Sequence, residues 1–215
     1  MVRININNDE IVERVYQQYQ DGTFPLNERG VSFLLGYHLS KDSESTVGFE
    51  VGVFGSLEAS FSPDLDVIVA DDELIGYEVK GYRSDNRKVS KGQLYKGLGQ
   101  AVTLLNQPIA IDGGALSKVS LVYPEKAEFN KSNWQWKQNF IDSVKETPVG
   151  LATVGTDGVD TVVEPSNNPF YTPSIQSDLL TTLRDQTTGM DRRHPEKGLR
   201  NLALEIEKDN TTRSN

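Results

Sequence analysis

The sequence predicts an α/β protein whose mixed central sheet is flanked by helices. Three observations predict it. Asp64 to Ala70 and Leu74 to Tyr82 are β-rich runs on either side of the polar turn Asp71-Asp72-Glu73, which is the pattern of a hairpin. Apolar residues recur at helical spacing both before and after it, over Asn27 to Ser40 and Gln93 to Asn106. A further β-rich run, Lys118 to Tyr123, follows the second of these helices and stops at Pro124.

Each element has its own signal. Asp9 to Gln20 places Ile11, Val12, Val15, Tyr16 and Tyr19 at helical spacing, with Asn8 or Asp9 available as the cap and Asp21-Gly22 as the stop. In Asn27 to Ser40 the inner stripe is Val31, Leu34, Leu35, His38 and Leu39, and Glu28 heads that stripe. A glutamate there also suits the positive end of the helix dipole. Val47 to Phe54 alternates Val47, Phe49, Val51 and Val53 with Gly48, Glu50, Gly52 and Phe54, which predicts a first strand and keeps Glu50 as a reserve carboxylate. In Gln93 to Asn106 the stripe is Leu94, Leu98, Ala101, Val102 and Leu105. Gly97 and Gly99 each cost about 1 kcal/mol against alanine in a helix interior. That points to a backbone lying close to the sheet or to a ligand. Trp134 to Val144 reads as another helix. Val149 to Thr153 and Val159 to Val163 read as a hairpin around Thr156-Asp157-Gly158. Ile175 to Leu183 reads as a short helix. Beyond Arg184 the chain turns polar, with a basic cluster from Arg192 to Arg200, a marginal amphipathic helix through Leu199, Leu202, Leu204 and Ile206, and a disordered end from about Asn210. The expected division is a domain over 1–184 and a polar, partly helical or disordered tail over 185–215.

Composition narrows the function. The 215 residues contain no cysteine, so thiolate metal sites and disulfides are excluded. There is no leader-like apolar region and no run of about 18 apolar residues, so a soluble, cytoplasmic protein with no membrane partner is expected. The net charge of −9 argues against a general cationic coat for DNA, though not against a local basic patch. Gly-rich phosphate loops, Ser-His-Asp patterns and HExxH are all missing.

The hairpin carries the chemistry. Strand side chains alternate faces, so Asp64 and Asp66 share one face, as do Glu78 and Lys80. With a three-residue loop at Asp71 to Glu73, Asp66 lies opposite Glu78 and Asp64 opposite Lys80. One residue more or less in the loop breaks the pairing. The other face holds Leu65, Val67, Val69, Tyr77 and Val79, and Ile68 and Ala70 continue the acidic face itself, so the strand is apolar on both faces and reads as buried, and carboxylates at its mouth need a reason. A few carboxylates suit Mg²⁺, with Mn²⁺ as a substitute, and a lysine beside the metal orients water and balances charge on phosphate.

Pro63-Asp64 with Glu78-Val79-Lys80 resembles the signature of the PD-(D/E)XK nuclease superfamily, which includes many restriction endonucleases and archaeal Holliday-junction resolvases. The order helix, three strands, helix, strand from about 27 to 123 resembles that family's α-β-β-β-α-β core. The resemblance implies a restriction-endonuclease-like fold and a Mg²⁺-dependent deoxyribonuclease, an endonuclease by analogy, with DNA as partner. Catalytic candidates are then Asp66, Glu78, Lys80, Glu28 and Gln100, with Gln93 as the alternative to Gln100. Metal candidates are Asp66 or Asp64, Glu78 and the Val79 carbonyl. Asp64 follows the proline as the motif asks, whereas Asp66 directly precedes the apolar strand, and both stay open. Candidate nucleic-acid contacts are Arg83, Arg87, Lys88 and Lys91, with Gln93 and Lys96 on the helix that follows. Cutting both strands would favour a homodimer. The rival expectation is a protein of this fold that binds nucleic acid or a protein partner without catalysis.

Overall fold

The computed structural model describes residues 9–22, 26–42, 46–52, 64–70, 73–82, 89–106, 116–125, 134–170 and 195–213. Its elements are helices α1 (Glu10–Gln20) and α2 (Glu28–Asp42), strands β1 (Thr46–Gly52), β2 (Asp64–Ala70) and β3 (Leu74–Val79), helix α3 (Lys91–Leu105), strand β4 (Lys118–Pro124), helix α4 (Trp134–Lys145), strands β5 (Gly150–Val154) and β6 (Val159–Val163), and helix α5 (Pro195–Arg213). From α2 to β4 the order is α-β-β-β-α-β, as expected. The predicted helix at Ile175 to Leu183 lies outside the described residues.

All six strands form one sheet in sequence order, β1-β2-β3-β4-β5-β6. The pairs β1–β2, β2–β3 and β5–β6 are antiparallel, and β3–β4 and β4–β5 are parallel. Two parallel neighbours need a crossover each, and α3 and α4 supply them. The hairpin register is Ala70↔Leu74 through Val67↔Tyr77, so the three-residue loop expected from the sequence sets the pairing.

Alternation along the strands divides the apolar residues into two layers. On one face Leu74, Val119, Leu121, Tyr123 and Leu151 pack under α3 and α4. On the other, Val47, Phe49, Val67, Val79 and Val122 pack under α1, α2 and α5. Gly36 lets α2 settle on β1, since a Cβ there would lie 2.3 Å from the Phe49 ring. Local chemistry fixes the helix starts. Asp9 caps α1 by accepting from the Ile11 N–H at 3.0 Å. Ser90 and Gln93 form a capping box that starts α3 two residues earlier than the apolar stripe alone suggests. His38 is buried, with Nε2 2.9 Å from the Gly155 carbonyl, which makes it a packed residue of α2.

The C-terminal segment holds the amphipathic helix expected through Leu199, Leu202, Leu204 and Ile206, and it continues past Asn210, where a disordered end was expected. Its helix α5 runs to Arg213 and buries Leu199, Leu202, Ala203 and Ile206 against α1, α2 and β1. Among the described residues no helix is long and apolar enough to cross a membrane.

Candidate active site

The exit of β3 is pinned between two helix starts. The Tyr82 N–H donates to the Leu26 carbonyl at 2.6 Å, just before α2. On the other side Gln93 Nε2 donates to the Gly81 carbonyl at 3.1 Å. Gly81 itself is obligatory there: a Cβ would lie 2.1 Å from the Asn27 carbonyl carbon and 2.2 Å from the Glu28 nitrogen. Asn27 caps α2, accepting from the Gly30 N–H at 2.9 Å. This contact is what brings Glu28, from the opposite layer, to the end of β3.

Three charged groups meet where the strand ends. Lys80 Nζ lies 2.5 Å from Glu78 Oε1 and 3.6 Å from Glu28 Oε1. Glu78 and Lys80 are buried, at 1% and 6% exposure, which is unusual for ionisable residues and requires pairing. The lysine stem runs beneath α3, where the missing side chain of Gly97 makes room: a Cβ would sit 3.0 Å from Lys80 Cε and 2.7 Å from Leu121 Cδ1. Gly97 therefore meets the sheet as its helix cost suggests. Gly99 does not, since nothing stands within 4 Å of its would-be Cβ. Asp66 faces the same cluster from β2, its Oδ2 accepting from the Val79 N–H at 2.6 Å. The β2–β3 ladder runs to Val67↔Tyr77, and beyond it an aspartate side chain takes over a backbone donor at the mouth of the hairpin.

These groups open on a cavity of about 720 Å³. Of the catalytic candidates, Glu28, Asp66, Glu78, Lys80 and Gln100 all line it, and Gln93 and Lys96 line it as well. The Gln93 amide is already engaged. Its Oε1 accepts from the Ser90 N–H at 3.0 Å and its Nε2 holds Gly81, so it shapes the wall rather than offering a free group. Lys91 is not part of the lining; its ammonium stands over the rings of Tyr95 and Trp136, at 5.9 and 5.8 Å. Arg83, Arg87 and Lys88, and the side chains of Glu50 and Asp64, lie outside the described residues. Of the two aspartates proposed as metal ligands, Asp66 lines the cavity and Asp64 is left untested. Four residues the sequence did not single out for the site also line it: Asn27 and Tyr82 at the pinned exit of β3, Arg29 in the first turn of α2, and Asp209 on α5. Arg29 was legible only as the neighbour of Glu28. Asp209 arrives through the docking of α5, which no local pattern announces.

The electrostatics follow from burial. Desolvation, then repulsion from Glu78, pushes the Asp66 carboxyl up to about 8, against the opposing Val79 hydrogen bond. Burial likewise raises Glu78, although Lys80 pulls it back. For Lys80 burial alone would lower the ammonium, but Glu78, Glu28 and Asp66 outweigh it and leave it raised. The lysine stays charged at neutral pH, while burial favours the protonated form of both carboxyls, most of all Asp66.

Two features suit a divalent cation. Glu78 Oε2 and Gln100 Oε1 are buried with no hydrogen-bond partner among the described residues, an expensive state for acceptors beside a polar cavity. The candidate donors are also all oxygens, which suits a hard cation. Among the described residues no group of three or more His, Asp or Glu gathers as a ligand set. Two carboxylates would therefore be the acidic share of this chain, with water and substrate phosphate supplying the rest, a common arrangement for Mg²⁺.

No protein-family model matches the chain, and no curated protein or solved structure matches it significantly.

Proposed function

We propose that the protein is a metal-dependent nuclease that hydrolyses phosphodiester bonds in DNA, with the cavity at the end of β3 as its active site. The observation that carries the reading is the meeting of Asp66, Glu78 and Lys80 at one cavity wall, with Glu78 Oε2 left without a partner. Asp66 and Glu78 would hold Mg²⁺ or Mn²⁺, together with the Val79 carbonyl by resemblance to the PD-(D/E)XK nucleases. When bound, the cation would polarise the phosphate and make a water more acidic. Lys80 keeps its proton, so it orients the attacking water and stabilises charge growing on the phosphate rather than acting as a base. Glu28, half-exposed and 3.6 Å from Lys80, holds the ammonium towards the cavity and offers a further carboxylate to solvent. Gln100, with its unpartnered Oε1 at the wall, would position water or a coordinating group.

A second reading has one observation of its own. Lys80 already pairs with Glu78 at 2.5 Å, which fits a protein of this fold that binds nucleic acid or a protein partner without cutting. Cleavage assays with Mg²⁺, Mn²⁺ or Ca²⁺ on single-stranded, duplex and branched DNA separate the two. Nuclease action predicts turnover with Mg²⁺ and Mn²⁺ but not Ca²⁺, whose larger and looser shell places the water poorly. Glu78→Ala and Lys80→Ala should each lower the rate by a factor of about 100 or more. Full activity in either variant rules out the mechanism.

A further inference from the structure

Arg29 stands at the cavity but does not point freely into it. Its Nε lies 3.3 Å from Glu205 Oε2, and its Nη1 donates to Asp209 Oδ2 at 3.0 Å. The two acids are one turn apart on α5, where like charges at i and i+4 repel each other unless a cation lies between them. Asp209 also lines the cavity. The guanidinium fork matches two oxygens of a carboxylate or of a phosphodiester equally well. In this structure two separate nitrogens are occupied by two separate carboxylates, so a phosphodiester could take both places through its two non-bridging oxygens.

The anchoring of α5 lets that exchange happen. Its buried side chains Leu199, Leu202, Ala203 and Ile206 hold the helix on the core independently of Arg29. Beyond Ile206 the contacts of the helix are polar, such as Glu207 with Arg14 at 2.5 Å and Asn210 with Gln18 at 3.0 Å. Side chains on partly exposed ion pairs move at small cost.

We propose that Arg29 is the residue that grips the phosphodiester backbone of the substrate at the cavity, and that Glu205 and Asp209 occupy it in the free protein and restrain binding until substrate displaces them. The inference rests on the nuclease reading. It gives the site a phosphate clamp and a built-in competitor, both formed by this chain.

The test is a mutant cycle on the full chain. Binding of a fluorescent duplex oligonucleotide is measured in Ca²⁺ over a series of salt concentrations for wild type, Arg29→Gln, the pair Glu205→Gln with Asp209→Asn, and all three changes together. Neutralising the acids should tighten binding about three- to tenfold, because two partly exposed ion pairs no longer compete. Arg29→Gln should weaken binding and reduce the salt slope by about 1. In the Arg29→Gln background the gain from removing the acids should vanish. A gain that persists there would reflect general charge alone and would overturn the proposal, as would no gain in the first place. Thermal melts of each variant check that α5 remains docked; melting temperatures that fall while affinity and salt slope stay at the wild-type values would make the cluster a helix clamp and also overturn it. A wild type that neither binds nor cleaves DNA brings down the nuclease reading itself, which is a distinct result from a binding wild type whose cycle shows no coupling.

Discussion

Gly81 decides whether the site exists. Two backbone atoms of the α2 start fall within 2.2 Å of where its Cβ would be, and backbone cannot rotate aside as a side chain can. Gly81→Ala should therefore push α2 away from β3, at about 3 kcal/mol or more, the upper range for overpacking. It should also separate Glu28 from Lys80. Chemical denaturation measures the first effect. The second predicts a loss of metal affinity or activity larger than that of Gly99→Ala, whose Cβ meets nothing and which should be neutral or slightly stabilising in the helix. Equal behaviour of the two variants contradicts the role given to Gly81. At this scale the sequence was informative where period two applies. Asp66, Glu78 and Lys80 could be set on one face from alternation and loop length, because both are local rules. The close approach at Gly81 was not legible, since it depends on a helix more than fifty residues away along the chain.

Helix α5 shows the same divide at the scale of an element. Leu199, Leu202, Ala203 and Ile206 follow the spacing i, i+3, i+4, i+7, which is a buried stripe. In the sequence Glu205, Glu207, Lys208 and Asp209 crowd around it, and the stretch reads as marginal. Those charges find partners that only the folded chain provides, Arg29 for Glu205 and Asp209, and Arg14 for Glu207. A helix whose polar face is neutralised by other elements reads as marginal from its own composition, and its docking on the core is not visible there. The energetic consequence is large. Burying Leu199, Leu202 and Ile206 is worth about 1.5–3 kcal/mol each, against a typical total stability of about 5–15 kcal/mol. Truncation after residue 194 should therefore unfold the protein or lower its melting temperature by well over 10 °C. A truncated chain that melts like the full one would mean that α5 adds nothing to the core. The hairpin β5–β6, by contrast, was legible from two short β-rich runs and the turn at Gly158, whose φ of +134° suits glycine.

For the whole molecule, the buried carboxyls tie stability to pH and to metal in a way that can be measured without a substrate. Asp66 titrates near 3.8 when exposed and at about 8 in the folded chain. Between those values the folded protein keeps a proton that the unfolded chain has lost, so ∂ΔG/∂pH is negative. The stabilisation from this proton is complete below about pH 3.8, declines as pH rises, and is gone above about 8. The slope is at most about 1.4 kcal/mol per pH unit for one proton. Glu78 is raised for the same reason and steepens the fall. Lys80 adds no slope at neutral pH, since its raised value keeps it protonated in both states below about 10. A divalent cation requires the deprotonated carboxylates and so competes with the proton. Metal should bind more tightly at pH 8 than at pH 6, and it should stabilise the fold according to its concentration relative to the dissociation constant. The expected result is a rise in melting temperature on adding Mn²⁺ that is small at pH 6 and widens towards pH 8. Asp66→Asn should flatten the metal-free pH dependence and remove most of the Mn²⁺ increment, because an amide neither titrates nor carries the charge that holds the cation. If the increment is equal at both pH values in the wild type, or survives intact in Asp66→Asn, the cation is bound elsewhere and the cluster at the end of β3 is a structural ion network.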